Sequence, residues 1–343
     1  MIEFGSDFNL IDTYTSERMH LQKMFRSATL MADGRQCIIL LIRQCCWQRL
    51  WIPDYYCYEV IESLRKMTTV EIMYYMESPF FEEELGSIPF KKGDAILRMN
   101  IFGMRKYRSN KNVPVPVIED HSHDPFGYWA LHSDADWCIS SLRKTLPLPE
   151  GGVLWSPKGH VLNANVPSSD ENEKIAAIRW KGMEMKTQYL KGKNISKEGF
   201  RKKYTETEDW FDWAEPSFID ARSRLILEHF NVNLWFKAKR DNWALLRELV
   251  NHYHQCQIVE PENESCSMFS LVLLFESHKR REFIREKLIE ASVYPAILWN
   301  VPETSSAESR DFSQRMLSIH CDGRYNERDI RQLAKIINRV LEQ

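Results

Sequence analysis

Between Val117 and Gly152 the chain reads VIEDHSHDPFGYWALHSDADWCISSLRKTLPLPEGG. An acidic pair, Glu119-Asp120, ends a strand-like run. Ser141-Leu142-Arg143-Lys144 follows about two dozen residues later, and a Gly-Gly pair closes the stretch at Gly151-Gly152. An acid at one strand end, and a lysine behind a serine at another, suit pyridoxal 5'-phosphate (PLP). Lys144 is placed to form the Schiff base, Asp120 to pair with the pyridine nitrogen, and Ser141 to donate to a phosphate oxygen.

Each residue also has a plainer explanation. Lys144 follows a strand, so a turn presents it at the strand's C-terminal edge, where ligands collect in open α/β sheets. Taken alone it is an ordinary surface lysine. Asp120 reaches the same edge, while strand alternation turns Glu119 to the other face. An isolated strand-end acid would cap the next turn. Ala32-Asp33-Gly34-Arg35 opens a helix, and a glycine there lets backbone approach an anion. The same residues also make a common Asp-Gly turn. Arg35 and Arg143 add positive charge, or form structural ion pairs. Tyr56 or Tyr55 can cover the cofactor ring, or pack in the core. His121 and His123, near Asp120 and Asp124, lack the further donors a metal site needs, so no metal is expected. His123 is expected by the cofactor's ring hydroxyl or the substrate.

The elements that must position these residues are legible from period and composition. VEIMYY (70–75), AILRMNIF (95–102), VPVIED (115–120), ADWCIS (135–140) and GVLW (152–155) read as strands. Several are apolar nearly throughout, as in a sheet covered on both faces. Helical patterns at Arg35–Arg43 and Tyr58–Lys66 lie between strands, which argues for an α/β fold with a mostly parallel sheet. From Glu171 to Tyr253 the chain is charged, tryptophan-rich and without strand-like runs. FIDARSRLILEHF and NWALLRELVNHYH read there as amphipathic helices, and Lys191 to Glu208 as a mobile loop or exposed helix. The C-terminal part returns to α/β. SMFSLVLLF, YPAILW and MLSIHCD read as strands, KRREFIREKLIEA as a helix, and NERDIRQLAKIINRVLEQ as a closing helix capped by Asn326. The expected organisation is a large α/β domain over 1–170, a helical connection over 171–255 and a small α/β domain over 256–343.

Bulk properties exclude several function classes. The 343 residues carry 46 Lys+Arg against 48 Asp+Glu, a formal charge of −2, so neither nucleic acid nor anionic membrane is expected as a partner. None of the eight cysteines forms a C-x-x-C pair, which argues against a zinc ribbon. No basic-then-apolar leader pattern opens the chain, and CIILLI is too short to span a bilayer. A reducing, cytoplasmic setting is the expectation.

On these residues the chain resembles the DegT/DnrJ/StrS family of PLP-dependent aminotransferases, which mostly act on keto-sugar nucleotides. The family's acid pair followed three residues later by Gln or His is matched by Glu119-Asp120 and His123. Its serine-led strand end, lysine and E-G-G are matched by Ser140 or Ser141, Lys144 and Glu150-Gly151-Gly152. Its small-residue helix start is matched by Ala32 to Arg35, and its Pro-x-x-Thr-aromatic segment loosely by Pro53 to Cys57, with Tyr56-Cys57 in the last two places. The segment between AILRMNIF and VPVIED is about a dozen residues, where the family carries a helix. No Asn-x-Arg segment stands in the middle region to reach a neighbouring subunit's phosphate. The lysine itself argues against the family's dehydratase branch.

The resemblance implies a fold-type-I PLP enzyme: a mostly parallel sheet with helices on both faces, plus a small C-terminal domain. It implies ping-pong transamination through Lys144, from an amino acid donor to a keto-sugar or related biosynthetic intermediate, in a homodimer. Asp120, His123, Ser141, Asp33, Gly34, Arg35 and Tyr56 would surround the cofactor. Another PLP reaction on an amino acid, or a non-catalytic relative of the fold, remains the alternative. A donor-carboxylate arginine is not assignable from the sequence.

Overall fold

In the computed structural model the described residues are 2–11, 24–25, 28–82, 84–162, 166–250 and 256–343. The first long element shows why the sequence pattern succeeds. Strand β1 (Thr29–Met31) runs into helix α1 (Gly34–Cys45), whose N-cap Asp33 accepts the Arg35 amide at 2.7 Å. Positions 34 to 42 of α1 are all buried, because the helix sits between the sheet and other helices. Cys46, in a left-handed conformation, ends it. Strand β2 (Arg49–Pro53), helix α2 (Tyr58–Met67) and strands β3 (Glu71–Tyr75), β4 (Asp94–Met99), β5 (Val117–Asp120), β6 (Trp137–Ser141) and β7 (Gly152–Trp155) complete the large sheet region.

The seven strands lie in the order β1-β7-β6-β5-β4-β2-β3. Strands β2 to β6 run parallel, and only β7 is reversed, pairing antiparallel with both β1 and β6. Alternate residues feed two cores: Ile118, Ile139 and Leu154 pack with α1, while Val117, Cys138 and Val153 pack on the opposite face. This is the doubly covered, mostly parallel sheet expected from the apolar strands.

Helices α3 (Asp170–Leu190), α4 (Lys197–Phe211), α5 (Ala221–His229) and α6 (Val232–Leu249) form the middle region. Of the mobile loop or exposed helix expected over 191–208, the structure has the helix, from Lys197 onward, with one face buried. Helix α4 buries Phe200, Tyr204, Trp210 and Phe211, and the first two share a core with Trp180 and Met183 of α3. Four apolar anchors spaced over three turns outweigh the lysine-rich surface between them. The end of NWALLRELVNHYH, residues 251–255, lies outside the described residues.

The C-terminal sheet is antiparallel, β8 (Cys256–Ile258), β9 (Leu271–Phe275) and β10 (Met316–Ile319) in that order. It is covered by helices α7 (His278–Glu290) and α8 (Glu327–Leu341). Asn326 caps α8 as expected, in a capping box with Asp329.

YPAILW is not a regular strand. Val293–Tyr294 pairs with Phe4–Gly5, Ala296 makes a single bridge to Ser318, and the chain then leaves the sheet. Pro295 has no N–H to offer a ladder, and Trp299 is drawn away towards the large sheet. Ser313 Oγ holds the Trp299 carbonyl at 2.6 Å, and the Tyr55 hydroxyl holds that of Leu298. The connection from β4 to β5 carries one 3-10 turn, Ile101–Gly103, and no α-helix.

Candidate active site

Register decides where the chemistry gathers. On β7, Gly152 faces Ser141 of β6 on one side and Met31 of β1 on the other. That single reversed strand brings the serine and the Asp33-Gly34 turn to the same place. The packing is close enough to require both glycines. A Cβ on Gly34 would stand 2.9 Å from Ser141 Cβ, and one on Gly152 would stand 2.5 Å from the Asp33 carbonyl oxygen. Asp120, at the end of the neighbouring β5, pairs in register with Met99 and Ile139.

A small cavity of about 20 Å³ opens at these strand ends, lined by Asp33, Gly34, Arg35, Tyr56, Asp120, Ser141 and Lys144. Seven of the eight cofactor-binding candidates from sequence thus meet at one site. The eighth, His123, lines an adjoining cavity of about 380 Å³, which shares Arg143 and Lys144 with the first. Cys57, Met99, Ser122, Arg143 and Trp299 also line the smaller cavity.

Lys144 ends the turn Leu142–Lys144, directly after β6. Among the described residues its Nζ has no hydrogen-bond or carboxylate partner, and stands 5.7 Å from the centre of the Trp299 ring. The Asp120 carboxylate is buried; Oδ1 accepts the Ser122 amide at 2.8 Å and Oδ2 the Tyr56 hydroxyl at 2.6 Å. Burial, and then the Asp120 charge, push the Tyr56 phenol well above its ordinary range. Tyr56 therefore meets the acid through its hydroxyl. Tyr55, the other candidate for covering a ring, does not line the cavity and turns into the core against Phe102, Trp299 and Phe312.

The Ser141 hydroxyl is buried and unpartnered. The helix start is more occupied. Asp33 takes the Arg35 amide itself and also accepts from Arg143 Nε at 3.2 Å. Arg35 faces Ser63 at 3.2 Å and Asp212, so its guanidinium is an ion-pair partner at the cavity wall. Arg143 binds Glu208 of α4 at 2.7 Å, and Glu208 also holds Arg179 at 2.9 Å. Partial burial opposes the charge on Glu208, whose side chain is 45% exposed, but these two arginines outweigh it and hold the carboxyl below its ordinary range.

His123 Nδ1 accepts the Phe102 amide at 2.9 Å, which places its proton on Nε2, a buried atom with no partner. The ring stacks between Phe269 at 4.6 Å and Trp299 at 5.3 Å. Burial, then Lys144 and Lys239, push its pKa far down, so it stands as a neutral donor.

Glu119 lies on the other face as alternation requires, bound by Asn110 at 2.6 Å and His121 at 3.0 Å. Burial raises its pKa and these bonds lower it, with a net downward shift. The donor atoms of Glu119, His121 and Cys138 lie within 4.8 Å of one another, so the structure separates His121 from His123 and gives it different neighbours from those read in sequence. Sequence reasoning missed Trp299 and Glu208. Trp299 arrives from the C-terminal region and Glu208 from the middle region, and no local motif marks either.

The arrangement supplies an amine, a carboxylate, a free hydroxyl and a glycine-opened helix start around one cavity, with a neutral imidazole beside it. That set can hold a phosphorylated heterocycle and move protons on a bound carbon. No known protein-family profile matches the chain, and no curated protein sequence matches it. Solved structures do match in fold. PseC of Helicobacter pylori, an aminotransferase involved in the biosynthesis of pseudoaminic acid, superposes with a TM-score of 0.67 at 11% identity, covering 99% of this chain and 100% of that one. Spr1654 of Streptococcus pneumoniae, named as a sugar aminotransferase and solved in its PLP form, gives 0.66 at 11% identity over 99% and 98%. 3-Amino-5-hydroxybenzoic acid synthase gives 0.60 at 13% identity over 93% and 87%. The chain has the fold-type-I architecture of PLP-dependent aminotransferases.

Proposed function

We propose that this protein is a PLP-dependent aminotransferase of the DegT/DnrJ/StrS type, passing an amino group from an amino acid to a keto-sugar or related biosynthetic intermediate. The observation that carries the reading is convergence. The unpaired Lys144 amine and the unpartnered Ser141 hydroxyl, from the end of β6, and the Asp120 carboxylate, from the end of β5, reach one cavity. The residues fit PLP. Lys144 would hold it covalently, Asp120 would face the ring nitrogen, and Ser141 with the Gly34 turn would take the phosphate. Bound there, PLP supplies an electron sink for negative charge on the substrate carbon.

The chain's own groups would do the rest. Asp120, fixed by Ser122 and Tyr56, keeps a proton on a ring nitrogen by charge. Lys144 Nζ takes up and returns the proton at the carbon that gains or loses the amino group. His123, locked as a neutral Nε2 donor, orients an oxygen in the larger cavity. That cavity has room for a sugar-sized acceptor and is lined by Tyr204, His320, Arg179 and Arg324. A homodimer belongs to the same reading, as the family resemblance implies.

The test is incubation with PLP, borohydride reduction and peptide mapping, followed by amino transfer from glutamate to keto-sugar acceptors. A label on Lys144 and acceptor amination are expected. A label on another lysine, or none, overturns the assignment of Lys144. A label on Lys144 without transfer to any keto acceptor would favour a different PLP reaction.

A further inference from the structure

We propose that Arg143 is a phosphate-binding residue of this site, held in position by helix α4 of the middle region; the inference rests on the PLP reading above. Its starting point is a charge problem. The helix start that would receive a phosphate already carries the Asp33 carboxylate, whose Oδ1 caps the Arg35 amide. A phosphate seated at Gly34 would face that carboxylate, and a cation beside the two must offset their repulsion.

Arg35 is one such cation: its Nη1 is engaged by Ser63 and Asp212, while its buried Nε lies 3.5 Å from Asp33 Oδ1 and makes no hydrogen bond. Arg143 is the other. It stands between Ser141 and Lys144 in sequence and lines both cavities. Its Nε donates to Asp33, and its two terminal nitrogens donate to Glu208 at 3.4 and 2.7 Å. Each terminal nitrogen carries a second N–H, and no further acceptor for these stands among the described residues. The guanidinium lies 5.0 Å from the centre of the Phe211 ring, also on α4, and Glu208 is fixed in turn by Arg179. The side chain is thus held by Asp33 and Glu208, on the wall of the cavity that the unpartnered Ser141 hydroxyl also lines. A planar fork held this way suits an oxyanion better than a lysine would. It also gives the charged middle region a part in the site, with every group drawn from one chain.

The experiment compares PLP with pyridoxal, which lacks the phosphate, on the full-length protein, using dissociation constants and borohydride-fixed label on Lys144. Arg143→Ala is expected to reduce the preference for PLP over pyridoxal by roughly 10- to 100-fold, leaving pyridoxal affinity unchanged. Arg143→Lys is expected to keep part of the preference. Arg143→Gln, which can still hydrogen-bond Glu208, is expected to lose it and serves as the neutral variant should the alanine form not fold. An unchanged preference in the neutral variants, or an equal loss for both compounds, overturns the inference while leaving the PLP reading intact. If the wild-type protein takes neither compound onto Lys144, the PLP reading itself falls, and this inference with it.

Discussion

Gly152 is where the site depends most directly on backbone packing. A methyl group there would stand 2.5 Å from the Asp33 carbonyl oxygen, 2.6 Å from its carbon and 2.9 Å from the Gly34 nitrogen. All three atoms are main chain, so no side-chain rotation relieves the clash. Either β7 must shift in a ladder shared with β1 and β6, or the Asp33-Gly34 turn must lift from Ser141. Overpacking of this kind costs about 1–3 kcal/mol. Unfolding entropy of roughly 2.1 cal/mol/K per residue makes that a fall in melting temperature of roughly 1.5–4 °C for a chain of this length. Lifting the turn should also lower the preference for PLP over pyridoxal. The assay is thermal melting of Gly152→Ala with ligand titration. Gly86→Ala is the control, since an added Cβ there meets nothing within 4 Å. If Gly152→Ala melts with wild type and keeps its ligand preference, the packing argument is wrong.

Lys144→Ala should abolish borohydride-fixed labelling while moving stability by no more than about 0.5 kcal/mol, because the amine has no hydrogen-bond or carboxylate partner to lose; a sharply lowered melting point would refute this. Tyr56→Phe removes the 2.6 Å bond to buried Asp120 and should cost about 1.5–3 kcal/mol in denaturant unfolding; no change would mean the bond is not formed in solution. Burial, and then Arg324, hold the His320 pKa down at about 4 against an ordinary 6.5. The unfolded chain therefore binds the extra proton first. This contribution to stability is full above about 6.5 and is lost as pH falls towards about 4. His320→Gln should flatten the stability-against-pH curve in that window, and an identical curve would show that His320 is not held neutral in the folded chain.

The sequence by itself determined the parallel sheet, its helices and much of the site. Continuous apolar strands and the 3.6-residue period are local signals. Asp120, Ser141 and Lys144 are readable because the first two end strands and the third follows in the turn after one, and parallel strands bring such ends to one edge. Position on one edge is as far as that logic reaches. Tertiary structure decided that Tyr56 addresses Asp120 through its hydroxyl, that His123 lines the larger cavity, and that Arg35 is tied to Asp212. It also brought in Trp299 and Glu208, from segments more than sixty residues beyond Lys144 in chain order. Residues 191–208 read as a mobile loop or exposed helix because the residues that bury α4 are few among lysines, and only packing against α3 gives them a partner. Hydrogen-bond partners and ring orientations are set by whatever the fold places opposite a side chain, and that information is spread over the whole chain rather than written beside the residue.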